Sequence, residues 1–291
     1  MSIVNAKEIM MDASRSKYAV GAFNVTDLAQ FEAVIDAAVE KKAPVIIQTS
    51  VKPSKFYGRD VMVAVFRALA TSAPVPVCLH LDHCTDLEYC KKCAEAGYTN
   101  IMIDASKQSY EENIRQTKEV ADYCHSVGNI SVEGELGTVS GVEDQIKVVE
   151  DEAALANPTQ AVEFVERTGI DIFAPAIGTA HGVYKTKDPK VDFDRLEQIN
   201  KLLNGKTLKT PLVVHGGTGL PEHTVKRLIE CGGAKFNVST ELKQTLIDTT
   251  FNYLNEHRQE YDPGKVDAAV RDAIRIAVGH WIDMLGSAGR A

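Results

Sequence analysis

The chain has 291 residues, of which 44% are hydrophobic and 25% are charged, so it is long enough to bury a large core. Its formal net charge is −8 and no run of lysine or arginine stands out, which argues against nucleic acid or an anionic membrane as the main partner. Residues 1–20 lack the apolar region of a signal peptide, and no apolar run approaches the length of a membrane span. We therefore expect a cytoplasmic protein.

Short apolar runs rich in β-branched residues alternate with segments of helical period. The eight runs cover residues 18–25, 43–50, 74–83, 100–106, 129–136, 170–178, 210–217 and 234–240. This alternation predicts βαβ units in a parallel sheet that is covered on both faces. Eight such units predict a (β/α)₈ TIM barrel that spans residues 1–291 as a single domain, with an extra C-terminal helix from about Asp262. An open doubly wound sheet is the alternative, but no G-x-G-x-x-G follows an early strand.

The six cysteines include a C-x-x-C pair, Cys90 and Cys93. Such a pair can be a redox centre or half of a zinc site. No second C-x-x-C exists and the flanking sequence is helical, so we interpret the pair as two thiols on one helix. The length of the chain and the lack of a secretion signal also argue against a disulfide framework.

Two connections are longer than usual for a barrel. Residues 137–156 join the fifth strand to its helix, and residues 179–191 follow the sixth. Long loops after barrel strands commonly form lids or binding segments. The first of them contains Glu143 and Asp144 among small residues, so its closure could bring a carboxylate over the barrel mouth, where the carboxyl ends of the strands meet.

Polar residues collect at the predicted carboxyl ends of the strands, where barrel enzymes keep their catalytic groups. Three of them are histidines, and three imidazoles with an open position form a common catalytic zinc site. A lone histidine is more often structural, but three at three strand ends favour a shared site. His80 is expected to face away from His83 and to support it. The polar residues at the predicted strand ends are His83, Asp104, Ser106, Glu133, Glu135, His181, His215, Asn237 and Ser239.

The last two strands carry a second pattern. Residues 215–219 read HGGTG and residues 237–240 read NVST, which together offer backbone N–H groups, hydroxyls and an amide. Loops after the seventh and eighth strands are the usual phosphate site of this fold. Lys185, in the second long loop, is a candidate to add positive charge. The simpler interpretation is a tight turn that uses glycine for its conformational freedom.

With these motifs in order, the chain resembles the class II, metal-dependent fructose- and tagatose-bisphosphate aldolases over nearly its whole length. The motifs that carry the resemblance are HLDH (80–83), MIDAS (102–106), VEGELG (132–137), GTAHGVYK (178–185), VVHGGTG (213–219) and NVSTEL (237–242). The resemblance implies reversible retro-aldol cleavage of a ketose bisphosphate to dihydroxyacetone phosphate and glyceraldehyde 3-phosphate. It also implies a homo-oligomer, either a dimer or a tetramer.

The resemblance further implies roles for individual residues. Zinc, or cobalt in its place, would be held by His83, His181 and His215, and a monovalent cation could accompany it. Asp82 would act on the C4 hydroxyl proton, and Glu143 would shuttle the proton at the triose carbon. Asp104 and Glu135 match positions of a second or alternative metal. The expected phosphate contacts are Gly182, Lys185, Gly216, Gly217, Thr218, Asn237, Val238, Ser239 and Thr240.

Two departures from the family pattern concern the substrate more than the reaction. Ser239 stands where fructose-specific members often have aspartate. The first long loop reads SGVED (140–144), where many members have a paired glycine and a paired glutamate. The lysines cluster mainly in helices and loops, with Lys235 at the start of the eighth strand, so no Schiff-base lysine is evident. The alternatives are an aldolase for another phosphorylated ketose, a metal-dependent hydrolase on the same barrel, and a sugar-phosphate-binding protein without activity.

Overall fold

The computed structural model describes residues 2–143, 146–148, 154–184, 186, 188–205 and 209–291. Within these ranges the strands are β1 (Val20–Asn24), β2 (Val45–Ser50), β3 (Val77–Cys84), β4 (Asn100–Ile103), β5 (Ser131–Leu136), β6 (Ser140–Glu143), β7 (Ile146–Val148), β8 (Ile172–Pro175), β9 (Ala180–His181), β10 (Leu212–Val214) and β11 (Gly233–Val238). Eight of them close into a parallel barrel in the order β1-β2-β3-β4-β5-β8-β10-β11. These eight overlap the eight predicted runs, which confirms the barrel.

Eleven helices surround the described part of the barrel. They are α1 (Ala6–Ser16), α2 (Leu28–Lys41), α3 (Val51–Tyr57), α4 (Arg59–Ala70), α5 (Leu87–Ala96), α6 (Tyr110–Val127), α7 (Pro158–Thr168), α8 (Phe193–Asn204), α9 (Glu222–Glu230), α10 (Thr240–Glu256) and α11 (Pro263–Met284). The last is the predicted C-terminal helix. It lies along α2, where Arg271 contacts Asp36 at 2.6 Å and Arg275 contacts Glu40 at 2.7 Å.

Local chemistry sets where these helices begin and end. In α7, the side chain of Asn157 accepts hydrogen bonds from the N–H groups of Thr159 and Gln160, and Pro158 occupies the first turn. Both features satisfy or remove N–H groups that the helix leaves unpaired. The helix ends at Gly169, whose φ of 70° is the left-handed conformation that glycine adopts without strain.

The barrel interior has an apolar lower half and a polar upper half. Val20, Ala22 and Ile46 fill the amino-terminal end, which Met10 of α1 helps to close. A larger apolar layer lies between the outside of the barrel and the helices. Cys90 and Cys93 are buried thiols on α5, as expected for two core residues. No helix among the described residues is long and apolar enough to cross a membrane.

The two long connections contribute strands that the sequence did not predict. β6 pairs antiparallel with β7 and parallel with β9, so the three form a small sheet above the barrel. Gly141 of β6 lies opposite His181 of β9. A Cβ atom at Gly141 would lie 2.2 Å from the carbonyl oxygen of His181, so this close approach requires glycine. The small sheet therefore fixes the position of the segment that carries His181.

Candidate active site at the barrel mouth

Three histidines meet at the barrel mouth. Nitrogen atoms of His83, His181 and His215 all lie within 4.8 Å of one another. Nε2 of His83 lies 2.7 Å from Nδ1 of His215. Burial and the nearby His83 lower the pKa of His215 to about 4, so its imidazole is neutral at neutral pH, as a metal ligand must be. The structure therefore brings together the three histidines that the sequence predicted as metal ligands.

An irregularity in β3 directs His83 to this place. Strict alternation would put Asp82 and His83 on opposite faces of the strand. His83 instead has a φ of 45°, and the pairing of β3 with β4 shifts register between Leu81 and Cys84. Non-glycine residues rarely adopt this conformation, and such strain is found at functional sites. The irregularity lets two consecutive side chains serve one site.

A second possible metal group shares His83. Its atoms lie within 4.8 Å of those of Asp104 and Glu135. Nδ1 of His83 is 2.8 Å from Asp104, which also accepts hydrogen bonds from the hydroxyl and N–H of Ser106. Burial and the adjacent Asp104 raise the pKa of Glu135 well above its usual range. The two nitrogens of His83 thus face two different groups of possible ligands.

Asp82 is a buried carboxylate beside the histidines. Its two oxygens accept hydrogen bonds from amide groups of Asn24 at 2.9 Å, Gln48 at 3.3 Å and Asn237 at 3.1 Å. Burial opposes ionisation, but the adjacent His83 is the main influence that holds the pKa of Asp82 well below its usual range. Since the amide donors also favour the ionised form, Asp82 is available as a proton acceptor.

A small polar pocket adjoins the histidines. Ser239 precedes the first residue of α10, and its side chain makes no capping hydrogen bond. Its hydroxyl and Oδ1 of Asn237 are buried without hydrogen-bond partners among the described residues. A helix amino terminus with unused polar atoms is suited to bind an anion. The pocket is lined by His181, Gly182, Gly216, Thr218, Asn237, Ser239 and Thr240.

Comparison with known proteins identifies this arrangement. The family model described as fructose-bisphosphate aldolase class-II matches residues 4–290. The chain belongs to the class II fructose-bisphosphate aldolase family. It is therefore an aldolase, a carbon–carbon lyase, and the metal dependence of this family agrees with the two groups of possible ligands at the mouth.

Individual relatives extend the match over the whole chain. It is 41% identical over 294 positions to a fructose-bisphosphate aldolase of Geobacillus stearothermophilus, covering 100% of this chain and 99% of the relative. A crystal structure from Coccidioides immitis aligns with a TM-score of 0.89 and 31% identity, covering 98% and 97% of the two chains. The YdjI aldolase of Escherichia coli K12 aligns with a TM-score of 0.85 and 33% identity, covering 99% of each.

Two residues that the class II resemblance implied as phosphate contacts, Gly217 and Val238, are not among the described residues that line the pocket. Gly217 donates its N–H to the carbonyl oxygen of Asn237 at 3.0 Å, so this group is not free for a ligand. Val238 directs its side chain into the apolar core. Lys185 and Asp144 lie outside the described residues, and the side chain of Glu143 does as well.

Sequence reasoning missed that Lys235 joins Glu133 and His80 in a buried layer of polar groups next to His215. Lys235, which the sequence placed only near the start of a strand, is fully buried. Its Nζ lies 2.7 Å from Glu133 and 3.4 Å from His80. Burial opposes ionisation of Glu133, but Lys235, His215 and His80 together more than offset it and lower the pKa of Glu133. The period-two pattern of β11 placed Lys235 on the same face as Asn237, which is the signal that could have found it.

Proposed function

We propose that this aldolase uses zinc to cleave a ketose 1,6-bisphosphate reversibly into dihydroxyacetone phosphate and glyceraldehyde 3-phosphate, and that residues 1–291 form one aldolase domain. The observation that carries the proposal is the position of Asn237. Its Nδ2 lies 3.1 Å from Asp82 and 3.4 Å from Nδ1 of His215, and the same residue lines the anion pocket. A proton acceptor, a metal ligand and a phosphate pocket therefore adjoin one side chain.

The imidazole group fits a divalent metal by its chemistry. Three imidazole nitrogen donors suit zinc or cobalt, and the second nitrogens of His83 and His215 each contact a carboxylate, as metal-bound histidines commonly do. When bound, the metal supplies a Lewis acid that polarises the ketose carbonyl. Asp104 and Glu135, with His83, are proposed as the second or alternative position.

The chain's own residues account for the proton transfers. Asp82 accepts the proton of the C4 hydroxyl, so the C4 oxygen forms the new aldehyde as the C3–C4 bond breaks. The electron pair of that bond moves to the three-carbon product, which then takes a proton at C3. We assign this second transfer to Glu143, whose strand β6 lies beside His181. Lys185 is proposed to add charge at the phosphate.

The pocket at α10 is proposed to hold the phosphate of the triose half. The backbone of Gly182 and Gly216, the hydroxyls of Thr218, Ser239 and Thr240, and the amide of Asn237 are its donors. Gly217 and Val238 would contribute only by shaping the backbone beside it. A monovalent cation beside the zinc, a dimeric or tetrameric state and a cytoplasmic location remain predictions.

The name of the Geobacillus stearothermophilus relative favours fructose 1,6-bisphosphate as substrate, whereas Ser239 in place of aspartate keeps its C4 epimer, tagatose 1,6-bisphosphate, as the second candidate. Zinc-reconstituted protein is to be assayed with both sugars for release of triose phosphate. We expect cleavage of at least one of them, and the ratio of the two kcat/KM values assigns the substrate. Activity on neither sugar, with zinc bound, would leave an aldolase for another phosphorylated ketose.

A metal-dependent hydrolase on the same barrel is the competing function. It would use the histidines to activate a water, and a sugar bisphosphate would still occupy the anion pocket beside Asn237, so the products distinguish the two functions. Release of inorganic phosphate without triose phosphate would favour it. A protein that binds both sugars and cleaves neither would be a sugar-phosphate-binding protein.

A further inference from the structure

A fully buried lysine lies in the barrel directly below the histidines. Lys235 and Glu133 both have no exposed side-chain surface, and their charged atoms are 2.7 Å apart. Burying an ion pair costs about as much as the pair returns, so an apolar side chain of similar volume would serve stability equally well. The presence of this pair inside an otherwise ordinary barrel core therefore calls for a role beyond packing.

Glu133 connects the lysine to one of the proposed metal ligands. While Oε2 accepts from Lys235, Oε1 lies 3.0 Å from Nε2 of His215. An ionised carboxylate can only accept hydrogen bonds, so Nε2 of His215 must carry the proton. The other ring nitrogen, Nδ1, then keeps its lone pair, and it is the atom that faces His83.

We propose that Glu133 and Lys235 are a positioning pair, which fixes the ring of His215 in the Nε2–H tautomer and aims Nδ1 at the metal. Lys235 holds the carboxylate in place through an ion pair that is fully buried. The pair touches neither the substrate nor the metal, so it acts through His215. This inference rests on the proposed use of His215 as a metal ligand.

The contacts of Lys235 also argue against a role as a Schiff-base lysine. Its amine is engaged by Glu133 and by His80, whose Nδ1 in turn contacts Asn100. A nucleophilic lysine must be deprotonated and must reach the substrate carbonyl. Lys235 is fully buried and is not among the described residues that line the anion pocket. Borohydride added with dihydroxyacetone phosphate should therefore leave no covalent adduct on Lys235.

The test compares zinc affinity in Glu133→Gln and in the double variant Glu133→Gln/Lys235→Met. The double variant removes both buried charges together, so it keeps the test valid if the single variant does not fold. Circular dichroism verifies the fold of each. We expect the zinc dissociation constant, measured by competition with a chromophoric chelator, to rise about 10- to 100-fold in both. In the metal-free form, ¹⁵N NMR of the histidine rings should show that His215 gains the Nδ1–H tautomer.

The chain supplies a control carboxylate, partly exposed, just before the amino end of β8. Asp171 also joins a lysine and a histidine, since it contacts Lys7 at 2.8 Å and His125 at 2.7 Å. Asp171→Asn should leave both the zinc affinity and the tautomer of His215 unchanged. Wild-type zinc affinity in folded Glu133→Gln or in the double variant would overturn the positioning role while the proposed function stands, and so would a borohydride adduct on Lys235. Failure of the wild-type chain itself to bind zinc would overturn both.

Discussion

The substitution Asp82→Asn separates proton transfer from the shape of the site. The amide has the size of the carboxylate but cannot accept a proton at neutral pH. Removing a general base lowers kcat by about 10²- to 10⁴-fold, which corresponds to about 3–5 kcal/mol of transition-state stabilisation. KM should change little, because the anion pocket is lined by other residues.

The effect on stability can be estimated from the contacts of Asp82. Asn24 donates to one oxygen and Asn237 to the other. An asparagine offers one acceptor, whichever way its amide turns, so about one charge-assisted hydrogen bond is lost, worth roughly 1.5–3 kcal/mol at most. Burying a neutral amide instead of a charge offsets part of that loss. The variant should therefore fold and bind zinc.

The assay is a steady-state measurement of triose phosphate release, with zinc content determined on the same sample. Asp171→Asn is the control for loss of a partly buried carboxylate outside the site, and it should keep wild-type turnover. If folded, zinc-loaded Asp82→Asn turns over within tenfold of the wild type, Asp82 is not the base and the reasoning from its contacts is wrong.

Three further predictions follow from the same site. Exhaustive chelation should abolish cleavage, and zinc or cobalt should restore it; full activity of a sample shown to be free of metal would contradict the ligand assignment. Glu143→Gln should slow exchange of the dihydroxyacetone phosphate proton with solvent, measured by ¹H NMR, far more than it weakens binding of that compound; unchanged exchange would point to Asp144. Gly216→Ala should lower both stability and zinc affinity, because its Cβ would lie 2.3 Å from the carbonyl oxygen of Ala180; melting and metal titrations as good as those of the wild type would refute this.

The barrel could be predicted because its strands are covered on both faces. Such strands are continuous apolar runs, and even the short β10 stands out as LVV before His215. The meeting of His83 and His215 also follows from topology, since the carboxyl ends of parallel strands converge at one end of a barrel. Residues distant in sequence therefore predict a common site without any knowledge of side-chain geometry.

The small sheet and the irregular strand could not be predicted in this way. β6, β7 and β9 have only four, three and two residues, too few to show an alternating pattern. The positive φ of His83 depends on how β3 pairs with β4, and strict alternation misplaces one of two adjacent residues. Alternation put His80 and His83 on opposite faces, yet both contribute to the region around Asp82.

The ion pair of Lys235 and Glu133 was missed for a different reason. The two residues are 102 positions apart, so no local pattern shows that they contact each other. Lysine is almost always exposed, and this expectation outweighed the alternation of β11, which places Lys235 on the same face as Asn237. Only the closed barrel, which brings β5 and β11 to face each other across the interior, reveals the partner.

The central claim is that the metal-loaded chain breaks the C3–C4 bond of a ketose bisphosphate. The most direct measurement is ¹³C NMR of uniformly labelled fructose 1,6-bisphosphate, and in parallel of its C4 epimer, incubated with the zinc-reconstituted protein. We predict that the C3–C4 coupling disappears from at least one sugar as the two triose phosphates form. An intact six-carbon chain in both, whether unchanged or as a monophosphate with released phosphate, would contradict the claim.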